Sequence, residues 1–279
     1  MLHKSYQDGS CIAFAIGGEY RDSEDPRGGW APHGGITLFG LATSTGPQVP
    51  NLPAVHMLEL RTLVTGDHPG RTEARTQCTR KSDGVRISEF NGQSAVTYFR
   101  GEFYIYTRAN PAAAGWRSVQ VCRGNLNKFG PFELVSFEGV PGGSDIYFLH
   151  PYVFPNKNGI FAMLSFVGAP GHMQTMPAGI FCAVSGNGVH FKQPFLLHEC
   201  ESWQRRAYDI PAQGIEFLDT GIEYLVHKNV PCRMSPTHHD RKEGVVSVHH
   251  PLPKYMRGLL KYKCGSASVK AASASASGM

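Results

Sequence analysis

Three polar residues stand at equivalent points of a recurring strand pattern, and two of them are acids. Asn91 occurs in EFNG, Asp145 in GSDIYF and Asp209 in RAYDIP, each ahead of a run of β-branched and aromatic residues. If the strands that follow converge, the carboxylates face each other, and two carboxylates flanking a glycosidic bond can cleave it. The same placement suits carbohydrate binding or a metal ion. The alternative is that each Asp is a turn residue that hydrogen-bonds its own backbone.

The segments that must position these residues have the composition of short β-strands. Runs of β-branched and aromatic residues bounded by turn formers include SAVTYF, FYIYTR, SVQVCR, DIYFLHPYVF, GIFAMLSFV, AGIFCAVS, IPAQGIEFL and GIEYLVHKNV. The 279-residue chain also contains 32 Gly and 19 Pro, which fits many turns better than a few long helices. For MLELRTLV (57–64), strand and short helix both stay open.

An internal repeat indicates how the strands are arranged. GNLNKFGPFELV (124–135) resembles GNGVHFKQPFLL (186–197) at an offset of 62 with one insertion, and residues 91–106 overlay 209–224 at an offset of 118. A period of about 60 residues with three or four strands per unit predicts the stacked blades of a β-propeller. A β-sandwich would not predict the repeat.

The prediction is therefore an all-β chain that forms one propeller domain over residues 1–264. Segment 11–85 would supply a further blade and segment 245–264 closing strands. The ring would have about five blades, or about four with closing strands. Residues 265–279 are rich in Ala, Ser and Gly, and we expect them to be disordered.

The chain resembles the five-bladed propeller glycosidases of the invertase, arabinanase and xylosidase type. The resemblance lies in FYIYTRAN and WRSVQV followed by GNLNKFGPF, and in the later GIFCAVSGNGVHFKQP, within residues 87–230. It implies that Asp145 and Asp209 are the two catalytic Asp residues, one acting as base or nucleophile and one tuning the acid. It also implies that Glu89 or Glu201 is the general acid. Asn91 departs from the pattern, since Asn cannot ionise.

Further residues are candidates for substrate binding. Arg108 and Asn110 follow the second strand of their unit, where Arg is suited to holding a carboxylate or sugar hydroxyls; a structural Arg between blades is the alternative. Trp203 and Arg206 lie in a polar loop with Glu201, and an indole ring stacks well on the apolar face of a sugar. A Trp that anchors the core is the alternative.

Two histidines in strand-like segments, His150 and His227, are further candidates for the axis of the ring. In an unbroken strand, His150 and Asp145 would face opposite sides, because they are five residues apart. The His-His pairs at 238–239 and 249–250 lack the spacing of metal ligands on a defined element, so no metal site is predicted. No nucleotide-binding glycine motif is present, and we expect no cofactor.

Charge, cysteine content and hydropathy limit the classes of protein to which this chain can belong. The net charge of +5 is spread without a basic stripe, which argues against a nucleic-acid binder; binding of anions by the basic residues 254–263 is a weaker alternative. The seven Cys are odd in number and contain no CxxC pair, which favours a reducing compartment. No signal-peptide pattern and no apolar run of membrane-spanning length is seen, so a cytoplasmic location without membrane contact is expected, with an N-terminus that need not be complete.

Two functional hypotheses follow. In the first, a glycoside hydrolase-like protein acts on or binds a carbohydrate in the axial funnel of the propeller. In the second, a non-catalytic propeller binds a glycan or a protein, which Asn91 favours. At least two carboxyl groups within roughly 5–10 Å across one pocket would distinguish the enzyme from the binding protein.

Overall fold

The computed structural model describes the chain mainly from residue 94 to residue 254, and before that chiefly as short strands. Gaps in the described region fall at 110–116, 126, 155–156, 170, 172–173, 175, 201–206 and 232–243. The early strands form four antiparallel pairs: β1 (Leu2–Lys4) with β2 (Cys11–Ala13), β3 (Ala15–Tyr20) with β4 (Pro32–Phe39), β5 (Leu41–Ala42) with β6 (Met57–Glu59), and β7 (Gln77–Thr79) with β8 (Arg86–Ser88). Of MLELRTLV, the structure describes the strand β6 and the buried Val64.

The first large sheet, called here the first sheet, is built from consecutive strands. β9 (Ala95–Phe99), β10 (Glu102–Ala109), β11 (Ser118–Asn125) and β12 (Lys128–Phe129) pair in chain order, and β13 (Glu133–Leu134) also pairs with β11. Arg100 and Gly101 connect β9 to β10 with positive φ values of 50° and 87°. Two such residues in a two-residue loop give the turn whose twist matches an antiparallel hairpin.

The second sheet repeats this order. It contains β15 (Asp145–Val153), β16 (Ile160–Val167), β17 (Gly179–Ser185) and β18 (His190–Glu199), and β14 (Ser136–Phe137) runs parallel to β18 at its edge. The third sheet contains β19 (Ala207–Phe217), β20 (Ile222–Pro231) and β21 (Gly244–His250). Pro151 and Pro211 lie in β15 and β19, which are the end strands of their sheets, where a missing backbone donor costs least.

The second sheet is covered on both faces. Its β16 presents Ile160, Ala162, Leu164 and Phe166 to a core shared with Tyr104 and Tyr106 of the first sheet. The alternate residues Phe161 and Met163 pack with Ile222, Tyr224 and Val226 of the third sheet. This period of two follows from the pleat of the strand, and it explains why the predicted strands of this unit are apolar almost throughout.

Successive sheets stack face to face, and their first strands β9, β15 and β19 lie next to one another. Consecutive strands within each sheet, with adjoining first strands, are the arrangement of propeller blades, whereas a sandwich would alternate between two sheets. The all-β propeller class is thus confirmed. The number of blades, the domain limit at residue 264 and the disordered tail depend on residues outside the described part, and they stay predictions.

The repeated motifs form matching structures. The side-chain oxygen of Asn125 accepts hydrogen bonds from the backbone N–H groups two and three residues later, and Asn187 does the same in the second copy. In the second repeat pair, Tyr106 and Tyr224 are both buried. Tyr106 donates its hydroxyl hydrogen to a backbone carbonyl in the turn between β17 and β18, and Tyr224 donates to a carbonyl of β18. No helix in the described part of the chain has the length and hydropathy of a membrane span.

Candidate functional site

Asp145 is the first residue of β15, as the repeat predicted, and it forms an ion pair with the preceding sheet. The backbone N–H of Arg117 donates to Oδ1 at 2.6 Å, and the guanidinium donates through Nε to Oδ1 at 2.9 Å and through Nη2 to Oδ2 at 2.6 Å. The Arg117 carbonyl accepts the N–H of Ile146 in return. Both carboxylate oxygens of Asp145 are therefore engaged by one residue, in the two-pronged geometry that makes Arg–carboxylate pairs strong.

A β-bulge in β15 changes which residues share a face with Asp145. The pairing register with β16 shifts between Ile146 and Phe148, so Asp145 opposes Val167 and His150 opposes Met163. Val167 and Met163 are four residues apart on β16, and their partners therefore occupy the same face of the sheet. The prediction that Asp145 and His150 face opposite sides holds only for an unbroken strand and is wrong here, because the bulge inserts one residue.

Asp209 lies inside β19, two residues after its start, and it organises a bulge in the neighbouring strand. Tyr208 pairs with Val230 and Ile210 with His227, so two residues of β20 face the single residue Asp209. One of them, Asn229, has a positive φ of 58°, and its N–H donates to Oδ1 of Asp209 at 2.9 Å. The carboxylate thus accepts a hydrogen bond from a backbone N–H group at the bulge, where the regular hydrogen bonding between β19 and β20 is interrupted.

The other oxygen of Asp209 contacts two basic side chains. His198 Nε2 lies 2.8 Å from Oδ2, and Lys228 Nζ lies 3.5 Å from the same atom. The Asp209 side chain is only 2% exposed. Burial on its own raises the pKa of Asp209, but hydrogen bonds from His198 and Asn229 and the charge of Lys228 outweigh it, so that the pKa lies below its ordinary value. Asp209 is therefore a buried carboxylate at neutral pH.

The predicted binding residues within the described part occupy different environments. His150 is buried, and burial lowers its pKa to about 4, so its imidazole is neutral at physiological pH. Arg108 is half-buried in β10, and its carbonyl accepts a hydrogen bond from the side chain of Gln120. His227 is half-buried in β20 opposite Ile210. Glu89, Asn91, Asn110, Glu201, Trp203 and Arg206 lie outside the described residues, and their roles stay predictions.

Within the described ranges, no group of three or more His, Cys, Asp or Glu side chains is placed to hold a metal ion. An open groove of about 560 Å³ lies at the outer edge of the first sheet, lined by Glu102, Arg123, Gly124, Asn125, Lys128, Gly130, Pro131 and Glu133. Among the predicted site residues that the structure describes, none lines this groove.

Sequence reasoning missed the residues that hold the two acids, namely Arg117, His198 and Lys228. Arg117 is in the motif WRSVQV, but nothing local to it points to an acid 28 residues away. His198 comes 11 residues before Asp209, at the end of a strand whose register contains two irregularities. An acid at the start of a repeat is the signal that a partner exists, and the structure is needed to identify it.

No family model matches this chain, and no curated protein sequence matches it. Among solved structures, it is similar to an N-acetylgalactosamine deacetylase from F. plautii in complex with blood group B trisaccharide, with 11% identity, a TM-score of 0.45 and coverage of 93% of this chain and 73% of that one.

Two further solved structures are similar at comparable levels. An endo-arabinase from Bacteroides thetaiotaomicron is 12% identical, with a TM-score of 0.41 and coverage of 88% of this chain and 72% of that one. A GH43 β-1,3-galactosidase with galactodeoxynojirimycin is 11% identical, with a TM-score of 0.33 and coverage of 66% of each chain. At 11–12% identity and TM-scores of 0.33–0.45, these likenesses are remote.

Proposed function

We propose that this chain binds a carbohydrate at the end of the ring where the first strands of its sheets meet, and that Asp145 and Asp209 do not form a glycosidase acid–base pair. The observation that carries the proposal is that each carboxylate is already bonded by groups of its own chain. Glycoside hydrolysis needs one carboxyl group that contacts water or the anomeric carbon, and a second that delivers a proton to the leaving oxygen.

Asp145 is poorly suited to either role. The Arg117 side chain and its backbone N–H donate to both carboxylate oxygens, with distances from 2.6 to 3.1 Å. A carboxylate held in this way would have to break charged hydrogen bonds before its oxygens could contact a water molecule or attack a sugar. In a ligand site, the role of Asp145 is to hold the start of β15, the first strand of the second sheet, against the first sheet.

Asp209 is even less accessible. Its side chain is 2% exposed, and its two oxygens bond the Asn229 N–H and the His198 ring. A sugar cannot touch a side chain that its own protein covers to this extent. The carbohydrate class itself is supported by the motif resemblance within residues 87–230 and by the occurrence of Trp203 and Arg206 in the sequence segment ECESWQRR.

The test separates binding from turnover. The full chain is titrated calorimetrically with plant and algal oligosaccharides, and the same mixtures are analysed chromatographically for released sugars. We expect binding without release, and loss of binding in Trp203→Ala. Lys192→Gln is the matched control, because Lys192 is 66% exposed and pairs with Glu138 only at 3.7 Å.

Two outcomes would overturn the proposal. If the wild-type protein releases sugars and folded Asp145→Asn or Asp209→Asn does not, the chain is a glycosidase that uses these acids. If no oligosaccharide binds to the wild-type protein, the alternative of a protein-binding propeller takes its place.

A further inference from the structure

His198 and Asp209 form a contact between the second and third sheets that has the geometry of a histidine base and its orienting acid. The imidazole Nε2 lies 2.8 Å from the carboxylate Oδ2, at a point where β18 ends and β19 begins. The carboxylate is 2% exposed, whereas the imidazole retains 18% of its exposure. The acid is thus sealed in the interior, while the ring that it contacts still reaches the surface.

The chemistry of the pair decides where the proton of the imidazole lies. Asp209 is a carboxylate, so its oxygens only accept hydrogen bonds, and the nitrogen that faces it must be a donor. In the neutral imidazole this places the hydrogen on Nε2 and leaves the lone pair on Nδ1. A histidine held in this tautomer has its second nitrogen ready to accept a proton, which is the role of the histidine in nucleophile-activating triads.

Lys228 supplies the positive charge that the pair requires. Its ammonium lies 3.5 Å from the same carboxylate oxygen, so one cation already balances the charge of Asp209. The cluster is therefore electrically neutral while His198 is neutral, and no second cation is needed to compensate the buried acid.

The carboxylate is also held rigidly. The backbone N–H of Asp209 donates to Cys200 Sγ at 3.2 Å, and Oδ1 accepts the N–H of Asn229 at 2.9 Å. These contacts fix both the main chain and the second oxygen of Asp209, so the carboxylate cannot turn away from the ring. Orientation of a base by an immobile acid is what makes its free nitrogen point in one direction.

We infer that His198 is a proton acceptor that acts through Nδ1 on a hydroxyl group or a water molecule, with Asp209 as its positioning residue. In the step, the O–H bond breaks, an N–H bond forms at Nδ1, and the oxygen keeps the electron pair. Asp209 keeps its charge and takes up no proton. The inference rests on contacts of His198 and Asp209 within their own chain, so it is independent of whether the chain binds a carbohydrate.

The test measures the reactivity of each histidine with diethyl pyrocarbonate, which acylates neutral imidazole nitrogens. The full chain is labelled at pH 7 both folded and in urea, and the rate at each site is read by peptide mass spectrometry. We expect His198 to react faster in the folded protein than in the unfolded chain, and Asp209→Asn to lose this enhancement. Exposed His249 is the internal control and should react at similar rates in both states.

A purely structural ion pair gives the opposite result, because a ring that is mostly covered reacts more slowly when folded than when unfolded. That outcome would overturn the inference. If Asp209→Asn does not fold, nitrogen-15 NMR of the wild-type protein decides instead. We expect a protonated Nε2 and an unprotonated Nδ1 on His198 at pH 8, and a hydrogen on Nδ1 would refute the assignment.

Discussion

Burial of His150 makes the stability of the folded protein depend on pH in one direction. Burial lowers the pKa of this imidazole from its ordinary value of 6.5 to about 4 in the folded state. Between these values the unfolded chain binds a proton that the folded protein does not bind, so the free energy of unfolding falls as the pH falls. Above pH 6.5 both states are neutral at this site, and the full stability is present.

The size of the effect follows from the two pKa values. A difference of one unit corresponds to about 1.4 kcal/mol, and with values of 6.5 and about 4 the loss relative to pH 8 is about 2 kcal/mol at pH 5 and about 3 kcal/mol at pH 4. These are large fractions of the about 5–15 kcal/mol that stabilises a typical folded protein. Because His150 is 6% exposed, water screens the penalty only weakly.

The assay compares urea unfolding of the wild-type protein at pH 7 and pH 5 with that of His150→Gln. The variant cannot titrate at this position, so it should lose about 2 kcal/mol less between the two pH values, whatever its stability at pH 7. His249→Gln, at an exposed position of β21, should lose as much as the wild-type protein. If the wild-type protein and His150→Gln lose the same free energy over this interval, His150 is not a buried neutral histidine and the reasoning fails.

Three further substitutions test the packing that positions the site, each measured by urea unfolding. Gly188→Ala should lower the free energy of unfolding by more than about 2 kcal/mol, because φ is 77° and a Cβ would lie 2.6 Å from a tyrosine ring. Gly101→Ala is its control: φ is 87° but the space around it is open, so only the backbone strain of about 1 kcal/mol should be lost. Asp145→Asn should cost about 1.5–3 kcal/mol from its charged hydrogen bonds, against less than about 0.5 kcal/mol for exposed Lys192→Gln; equal costs would contradict the interpretation of Asp145 as an inter-sheet tie. Phe161→Ala should cost about 3–5 kcal/mol, because the ring is fully buried between two other phenylalanine rings, and a loss below 1 kcal/mol would refute this packing.

The strands of the three sheets were predictable because their signals are local. SAVTYF precedes a two-residue turn at Arg100 and Gly101, and the predicted segment ends where β9 ends, at Phe99. Likewise, Asn125 and Asn187 stand in the GN motif of the repeat, and an Asn side chain that accepts hydrogen bonds from the next N–H groups forms its turn without help from distant residues. Interactions of this kind involve residues within a few positions of one another, so composition and spacing reveal them.

The face on which a side chain lies was not predictable where a bulge intervenes. The alternation of a strand is counted from residue to residue, and one inserted residue reverses every later assignment. In β15 the insertion lies between Ile146 and Phe148, in a run of apolar and aromatic residues that gives no sign of an extra position. The expected separation of Asp145 from His150 failed for that reason alone.

The environment of the acids was equally hidden, since it depends on which strands of different sheets meet. The sequence pattern places Asp145 and Asp209 at equivalent points of two repeats. Asp145 nevertheless forms a partly buried ion pair with an Arg, whereas Asp209 is buried against a His and a Lys. The repeated units share the same order of strands, and local sequence patterns encode that order. The partner of each acid, in contrast, comes from a different strand in each unit. Equivalent positions in neighbouring blades can therefore hold unlike chemistry, and a shared place in the repeat is insufficient grounds for pairing two acids in one reaction.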